Sequence, residues 1–416
     1  MGRAWQRCVG SRSIARTSGK RKIMDHRPAH LRNAVLVGLG AAGLVLSPAP
    51  ALAQAEAQGS AAVQGDARFD RFVPQESTKA TRLDYAVWDE ALDFFVFSMG
   101  ISLRERAPTV LPSVGTRVVY GHDSPYRLEG NRVAFSYLED DVIESLTTYR
   151  QDLESMADQL EIAKLPRNEQ LAYWINLHNV AVIEQIALAY PLSRPSNLKI
   201  GPEELPLDEA PFITVNGVAM SPRDIRTKIV FPNWRDPKVM YGFFRGDIGG
   251  PSLRRKAFTG DNVDTLLDGA AREFVNALRG VHNRGSTLQV SRIYAEARPF
   301  FFPAWPDDLR VHLRNYASEE VLELLDKTDE VDAVLYEEDI ADLAKGEKEP
   351  VYTNVQTTDE NGNLQPVDTS QIPRNILRMV AERNEKLNKA IRRGDRIGRV
   401  IVLPDEPEEE EDNEVE

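Results

Sequence analysis

The sequence predicts a mixed α+β fold in which a mainly helical principal domain carries a small β-sheet. Apolar residues recur at helical spacing over several long segments. Asn216-Gly217 separates two short apolar runs, which is typical of a β-hairpin with a type I′ turn. Of the 416 residues, 42% are hydrophobic. That is enough apolar material for a large core, and it excludes a collagen-like or wholly disordered chain.

Charge and hydropathy exclude two broad classes of protein. The formal net charge is -13, whereas a nucleic-acid-binding protein usually carries a strongly basic surface. The sequence contains no run of about 20 uninterrupted apolar residues, so a multi-spanning membrane protein is excluded. We therefore predict no nucleic-acid partner, and no stable transmembrane segment once the leader described next has been removed.

Residues 1–53 have the three-part pattern of a secretory signal peptide. They carry nine Lys or Arg against one acidic residue, then an apolar run at Ala34–Leu46, and they end in Ala51-Leu52-Ala53. We expect cleavage after this last alanine and a soluble protein that is periplasmic or secreted. Either Met1 or Met24 can be the start, since Met24 would give a more compact leader.

Removal of the leader also removes Cys8, the single cysteine of the sequence. A mature chain without thiols has no disulfide, no thiolate nucleophile and no cysteine-ligated zinc. The histidines that remain are scattered, at His122, His178, His282 and His312, and no two of them form an H-x-x-x-H pair. We therefore predict no metal site and no cofactor.

The predicted elements follow in order along the mature chain. Residues 54–80 are rich in Ala, Gln and Gly and are expected to form a flexible linker. Helical periodicity predicts helices at Leu83–Met99, Glu139–Leu160, Arg167–Tyr190, Val263–Leu278, Asp308–Tyr316, Glu319–Leu325 and Pro373–Arg393. Strands are predicted at Thr116–Tyr120, Phe212–Val215, Val218–Met220, Val239–Phe244, Thr287–Ser291 and Arg396–Leu403.

These elements divide the chain after the linker into three parts. Residues 81–345 form the principal domain. Residues 346–403 form a C-terminal extension with a polar, irregular start at 346–372, a basic helix that Gly394 is expected to end, and a short strand. Residues 404–416 hold nine acidic residues and are expected to be a disordered acidic tail.

The predicted helix Arg167–Tyr190 carries a motif that points to a family. Its apolar residues cover most of the circumference, which predicts a buried helix, and Leu171–Asn179 reads LAYWINLHN. This segment resembles the Phe-Trp-Ile-Asn-x-Tyr-Asn motif of the domain-of-unknown-function family DUF547. Further resemblances follow in the family's order at Ser221–Ile225, Asp236–Val239, Gly250–Leu253, Val290–Tyr294 and Leu335–Asp339. The resemblance covers about residues 83–343 and implies the family's domain without an established activity.

The chain departs from the family pattern at several polar positions. His178 stands where the family has Tyr, Arg226-Thr227 where it has Glu-His, Met240 where it has His, and Gly250 where it commonly has Cys. If relatives use a Cys–His pair for chemistry, this chain lacks the residues for that mechanism.

Two asparagines of the buried helix are candidates for lining a pocket. Asn176 and Asn179 are three residues apart and so share a helix face. A buried amide needs hydrogen-bond partners, because an unpaired one costs about 1–3 kcal/mol. In one interpretation the two amides fix the backbone of a nearby loop, and in the other they line a binding pocket.

The segment Gly242–Leu253, GFFRGDIGGPSL, is the candidate loop opposite these amides. Its glycines Gly246, Gly249 and Gly250 allow backbone N–H groups to converge, as in an anion-binding nest, and Arg245 adds positive charge. The alternative interpretation is a tight turn after a strand.

Three residues are candidates for catalysis. His178 is a candidate general base, with Asp247 or Ser252 as its polar partner, although Ser252 lacks the Gly-x-Ser-x-Gly elbow of a hydrolase nucleophile. A hydrogen bond from His178 to either partner in an open cleft would favour catalysis. The alternative for His178 is a histidine whose hydrogen bonds are satisfied inside the core.

The sequence leaves two functional hypotheses open. The first is an exported binding or scaffolding domain whose partner is an unidentified small molecule or protein. The second is a hydrolase-like enzyme that uses no cysteine nucleophile. The missing cysteine and the replaced family histidines favour the first hypothesis.

Overall fold

The buried helix Arg167–Leu188 is the element against which the functional candidates are placed. Of its 22 residues, 18 are buried, as its continuous apolar pattern predicts. The computed structural model describes residues 66–77, 80–112, 119–347, 355–358, 364–367 and 373–394. All of them belong to the unit Asp66–Glu416.

The longer helices are labelled α1 to α8 in chain order. They are α1 (Ala86–Phe95), α2 (Asp140–Gln159), α3 (Arg167–Leu188), α4 (Val263–Val275), α5 (Arg292–Phe301), α6 (Asp307–Arg314), α7 (Glu319–Lys327) and α8 (Arg374–Arg393). Helix α5 was not predicted, because Pro299 inside it disrupts the helical pattern. The other seven confirm predicted helices. Within the described ranges, no helix is long and apolar enough to cross a membrane.

Shorter helical segments connect these helices. They lie at Ala67–Phe72, Phe135–Tyr137, Ile162–Lys164, Pro195–Asn197, Pro222–Asp224, Ile225–Val230, Phe231–Asn233 and Pro237–Gly242. The three segments between Pro222 and Asn233 follow each other without a break, and the middle one is π-helical. Insertions of this kind inside helices are frequent at functional sites.

The strands are short and form small sheets. They are β1 (Val96–Phe97), β2 (Arg132–Val133), β3 (Lys199–Ile200), β4 (Leu205–Pro206), β5 (Ile213–Val215), β6 (Val218–Met220), β7 (Val281–Arg284), β8 (Thr287–Ser291), β9 (Glu330–Leu335), β10 (Val355–Thr358) and β11 (Leu364–Val367). In the three-stranded sheet β7-β8-β9, β8 is antiparallel to β7 and parallel to β9. The predicted mixed α+β fold with small sheets is confirmed.

The Asn-Gly hairpin forms as predicted. Ile213 of β5 lies opposite Met220 of β6. The backbone φ angles of Asn216 and Gly217 are 49° and 73°, and a type I′ turn requires two positive φ angles in succession. The turn residues therefore fix the register of the two strands.

The strand predicted at Val239–Phe244 is wrong, because Pro237–Gly242 is a 3-10 helix. The Asp236 side chain accepts a hydrogen bond from the backbone N–H of Lys238 at 3.0 Å, and proline at the first position suits a helix start. The four residues Val239–Gly242 are all buried. A short apolar run of this kind fits a buried strand and a buried helix equally well, so periodicity did not separate them.

Two segments predicted to be irregular contain regular structure. Within residues 346–372, β10 and β11 pair as antiparallel strands. Within the expected linker 54–80, Ala67–Phe72 forms a 3-10 helix, and its two phenylalanines are buried. The ring of Phe72 packs edge-on against Trp174 at a centroid distance of 5.2 Å. These two aromatic side chains bury apolar surface against the rest of the protein, which the small and polar residues around them do not.

Other predictions fall on residues outside the described ranges and stay predictions. They concern the leader at 1–53, the linker at 54–65, most of the strand Thr116–Tyr120, the strand Arg396–Leu403 and the tail at 404–416.

The basic helix α8 packs onto the segment between β1 and β2. The Lys386 ammonium donates to the backbone oxygen of Leu128 at 2.7 Å. Glu382 accepts two hydrogen bonds from the guanidinium of Arg127, at 2.8 and 3.0 Å. Gly394, with a φ of 82°, ends the helix as predicted. Charged side chains of α8 therefore hold the segment before β2 in place.

We expect Glu382→Gln to lower the free energy of unfolding by about 1–3 kcal/mol, because the Arg127 guanidinium then stays buried without its counter-charge. The Arg127 side chain is 1% exposed. Glu385→Gln, an exposed position on the same helix, is the matched control and is expected to change the value by less than about 0.5 kcal/mol. Urea denaturation measures both. Equal midpoints for the two variants would contradict the role given to Arg127.

Candidate functional site

Asn176 and Asn179 each hold a stretch of backbone against α3. Asn176 donates to the oxygen of Phe258 at 2.7 Å and accepts from the N–H of the same residue at 3.1 Å. Asn179 donates to the oxygen of Gly242 and accepts from the N–H of Phe244, both at 2.9 Å. Both asparagines are buried. Direct hydrogen bonds therefore join α3 to residues 242–244, as in the interpretation in which the amides fix a nearby loop.

His178 is fully buried, and both of its ring nitrogens have partners. Nδ1 lies 3.1 Å from Oδ1 of Asn179, and Nε2 lies 3.0 Å from Nη1 of Arg226. The ring also packs edge-on against Phe243 at 4.9 Å between centroids. Burial, and then the positive charge of Arg226, lower the pKa of His178 to about 3. A neutral imidazole that donates from Nδ1 and accepts at Nε2 fits these partners.

The guanidinium of Arg226 is the charged group next to His178. Arg226 lies in the π-helical segment and has no exposed side-chain surface. It donates to both carboxylate oxygens of Asp208 at 2.7 Å and to Glu296 at 2.8 Å. Burial alone would lower the pKa of Arg226, but the two carboxylates outweigh it and hold the pKa above its usual value. Arg226 is therefore a permanent buried cation that depends on its partners.

Glu296 connects this cation to the glycine loop. Besides Arg226, it accepts a hydrogen bond from Arg245. Burial would raise the pKa of Glu296, but Arg245 and then Arg226 outweigh it and lower the pKa to about 2. We call Asp208, Arg226, Arg245 and Glu296 the Arg226 network. Its two cations and two anions neutralise each other, so Arg245 is paired within the protein.

The glycines of the loop allow close backbone packing. Gly246 has a φ of 90°, a conformation that favours glycine. The N–H of Gly249 donates to the backbone oxygen of Glu337 at 2.8 Å, and a Cβ at Gly249 would collide with the backbone nitrogen of that residue. The N–H of Gly250 donates to the Asp247 carboxylate at 2.9 Å. These two N–H groups are thus bonded within the fold, as in the tight-turn interpretation, and are not directed at a shared anion as in the nest interpretation.

The other two catalytic candidates also have internal partners. Asp247 accepts a hydrogen bond from the Tyr336 hydroxyl at 2.9 Å, and burial raises the pKa of its carboxyl to about 7. The Ser252 hydroxyl accepts from the N–H of Asn131 at 3.2 Å and from Nη2 of Arg279 at 2.9 Å. A hydroxyl that accepts two hydrogen bonds can still donate its own proton, and the Ser252 side chain also forms a hydrogen bond with the carboxylate of Glu273.

The three candidates therefore belong to separate sets of hydrogen bonds. Among the residues that the structure describes, no hydrogen bond joins His178 to Asp247 or Ser252. The same residues include no group of three or more His, Cys, Asp or Glu side chains placed to hold a metal ion.

Sequence reasoning missed the Arg226 network except for Arg245. Arg226 was noted as a departure from the family pattern, and that was the available signal, since a buried arginine needs a carboxylate partner. Asp208 and Glu296 are 18 and 70 residues from it along the chain. No regular spacing connects residues so far apart, so the pairing could not be read from the sequence.

We expect Asn179→Ala to lower the free energy of unfolding by about 1–3 kcal/mol, because Gly242 and Phe244 each lose a buried hydrogen-bond partner. Asn168→Ala, at an exposed position near the start of the same helix, is the control and should cost less than about 0.5 kcal/mol. Chemical denaturation followed by tryptophan fluorescence measures both. A midpoint and slope for Asn179→Ala equal to those of the wild type would show that the asparagine does not stabilise the loop.

Comparison with known proteins matches one segment of the chain. Residues 162–275 match the family model described as "Protein of unknown function, DUF547". The matched segment includes α3, Arg226 and the glycine loop. No curated protein and no solved structure gives a significant match. The resemblance predicted from the α3 motif is confirmed for this part of the chain, since residues 162–275 are similar to the DUF547 family.

Proposed function

We propose that the protein is an exported, non-catalytic domain that acts by binding or scaffolding. The observation that carries this proposal is the state of His178, the one histidine in the segment Leu171–Asn179. It is fully buried, both ring nitrogens are hydrogen-bonded, and its pKa is about 3. A general base must reach a substrate proton and needs a pKa near the working pH. His178 meets neither requirement.

The alternative, a hydrolase-like enzyme without a cysteine nucleophile, has one observation in its favour. The pKa of Asp247 is raised to about 7, and perturbed carboxyl groups are common in catalytic sites. Burial accounts for this shift, and each carboxylate oxygen already accepts a hydrogen bond within the fold. We therefore favour the non-catalytic function.

A binding or scaffolding role is supported by how firmly the polar core holds its surroundings. The Arg226 network connects four segments that are distant in sequence, and the asparagines of α3 attach two further stretches of backbone. Nε of Arg226 and Nε of Arg245 are buried without a hydrogen-bond partner, but the bonds that these side chains do make are buried and connect distant segments, and such networks make a structure rigid. A rigid surface is an advantage in recognition, because less conformational entropy is lost when a partner binds.

The proposal predicts that the purified protein does not hydrolyse activated esters or peptide amides. Nitrophenyl acetate, nitrophenyl butyrate and a nitroanilide peptide should react at the buffer rate. His178→Ala, Asp247→Asn and Ser252→Ala, each checked for folding by circular dichroism, should not change that rate. Turnover that one of these variants reduces by about a hundredfold or more, the usual contribution of a general base, would refute the proposal in favour of the enzyme.

Export is the second part of the proposal and depends on the leader pattern of residues 1–53. We expect expression in a Gram-negative host to give a periplasmic protein whose first residue is Gln54. Mass spectrometry of the intact protein and of its N-terminal peptide checks this. A variant with Ala51→Lys and Ala53→Lys should retain the leader, because the cleavage site needs small residues. An uncleaved N-terminus on soluble wild-type protein would contradict export.

A further inference from the structure

A cavity of about 590 Å³ lies on a part of the molecule that shares no lining residue with the Arg226 network. It is bordered by the short helices Ala67–Phe72 and Ile162–Lys164, by the end of α2 and by the turn of the β5–β6 hairpin. Small-molecule sites in proteins have volumes of roughly 300–1,000 Å³. The cavity is therefore large enough for a small ligand.

The walls of the cavity are tied to each other. Nη1 of Arg71 donates to the backbone oxygen of Asn216 in the hairpin turn at 2.9 Å. The N–H of Gln75 donates to the backbone oxygen of Ala163 at 2.8 Å. Phe72, the last residue of the helix Ala67–Phe72, lines the cavity and is 2% exposed. These bonds hold the walls at a fixed separation before any ligand arrives, which lowers the entropic cost of binding.

Two opposite charges in the cavity are not neutralised by the described residues. Lys164 and Glu161 pair with each other at 2.6 Å. Arg71 uses one N–H in the bond to the hairpin turn, and a guanidinium has five. The carboxylate of Asp158 is exposed and forms no ion pair or hydrogen bond with any residue that the structure describes. One cation and one anion therefore remain available to a ligand.

We propose that this cavity binds a small zwitterion, a molecule with one ammonium and one carboxylate group, such as a dipeptide with free termini. The carboxylate pairs with Arg71, whose planar guanidinium suits two parallel hydrogen bonds. The ammonium pairs with Asp158, and the aliphatic part of the ligand lies over the side chains of Phe72 and Ile162. A ligand with a single charge would leave the other protein charge without a partner. This assignment rests on the proposed binding function and names its ligand class.

The test uses three peptides and four forms of the full chain. The peptides are alanylalanine, its N-acetyl derivative, which lacks the ammonium group, and its C-terminal amide, which lacks the carboxylate. The proteins are the wild type, Asp158→Asn, Arg71→Gln and the control Asp152→Asn, the same substitution at an exposed position of the same helix. NMR titration or calorimetry measures binding, and thermal melting confirms that each variant is folded.

We expect the wild type and Asp152→Asn to bind alanylalanine at millimolar concentration, and each capped peptide three- to tenfold more weakly. Asp158→Asn should weaken the binding of alanylalanine by the same factor and leave the binding of the N-acetyl peptide unchanged. Arg71→Gln should also weaken the binding of alanylalanine, but it should leave the binding of the C-terminal amide unchanged. No binding of alanylalanine, or equal binding of all three peptides by the wild type, would overturn the assignment. Either result would leave the absence of catalysis standing, since that is judged by turnover.

Discussion

The buried guanidinium of Arg226 is the group on which the arrangement of the candidate site depends. An arginine cannot lose its charge to avoid burial, so it must be paired or the fold must open around it. Asp208 and Glu296 supply the pairing, and Nε2 of His178 accepts a further N–H at 3.0 Å. These partners bring the loop after β4, helix α5 and helix α3 to one point. Burial, and then the positive charge of Arg226, lower the pKa of His178 and keep its ring neutral.

The asparagines of α3 extend this arrangement through neutral groups. Each side-chain amide donates one hydrogen bond to a backbone oxygen and accepts one from a backbone N–H of a neighbouring segment, as the backbone of an adjacent β-strand would. Because Asn179 also accepts from His178, one side chain connects the glycine loop to the charged network. Leaving any one of these buried groups unpaired costs about 1–3 kcal/mol. Each of these buried hydrogen bonds therefore contributes to the stability of the polar core.

Much of the fold was predictable because it depends on local pattern. The continuous apolar surface of α3 predicts its burial, and Asn216-Gly217 has the positive φ angles that its hairpin needs. The interpretation of the asparagines as fixing a loop also followed from the cost of burying an amide. The segment after Asp236 was wrongly predicted as a strand, because a continuous apolar run shows no alternation of apolar and polar residues that would separate a strand from a helix. The partners of Arg226 were not predictable, because Asp208 and Glu296 are 18 and 70 residues away along the chain and no regular sequence spacing relates them to it.

The protonation of His178 is the most direct test of the account. Nitrogen NMR of the histidine rings, with the His178 signals assigned by their loss in His178→Gln, should show a neutral ring with hydrogen on Nδ1 that does not titrate between pH 5 and 8. The folded pKa of about 3 lies below the unfolded value of about 6.5. The stability that this histidine contributes is therefore present above pH 6.5 and is lost as the pH falls toward 3. The loss should be absent in His178→Gln. A His178 pKa near or above 6.5 in the folded protein would contradict the account and return the histidine to the list of catalytic candidates.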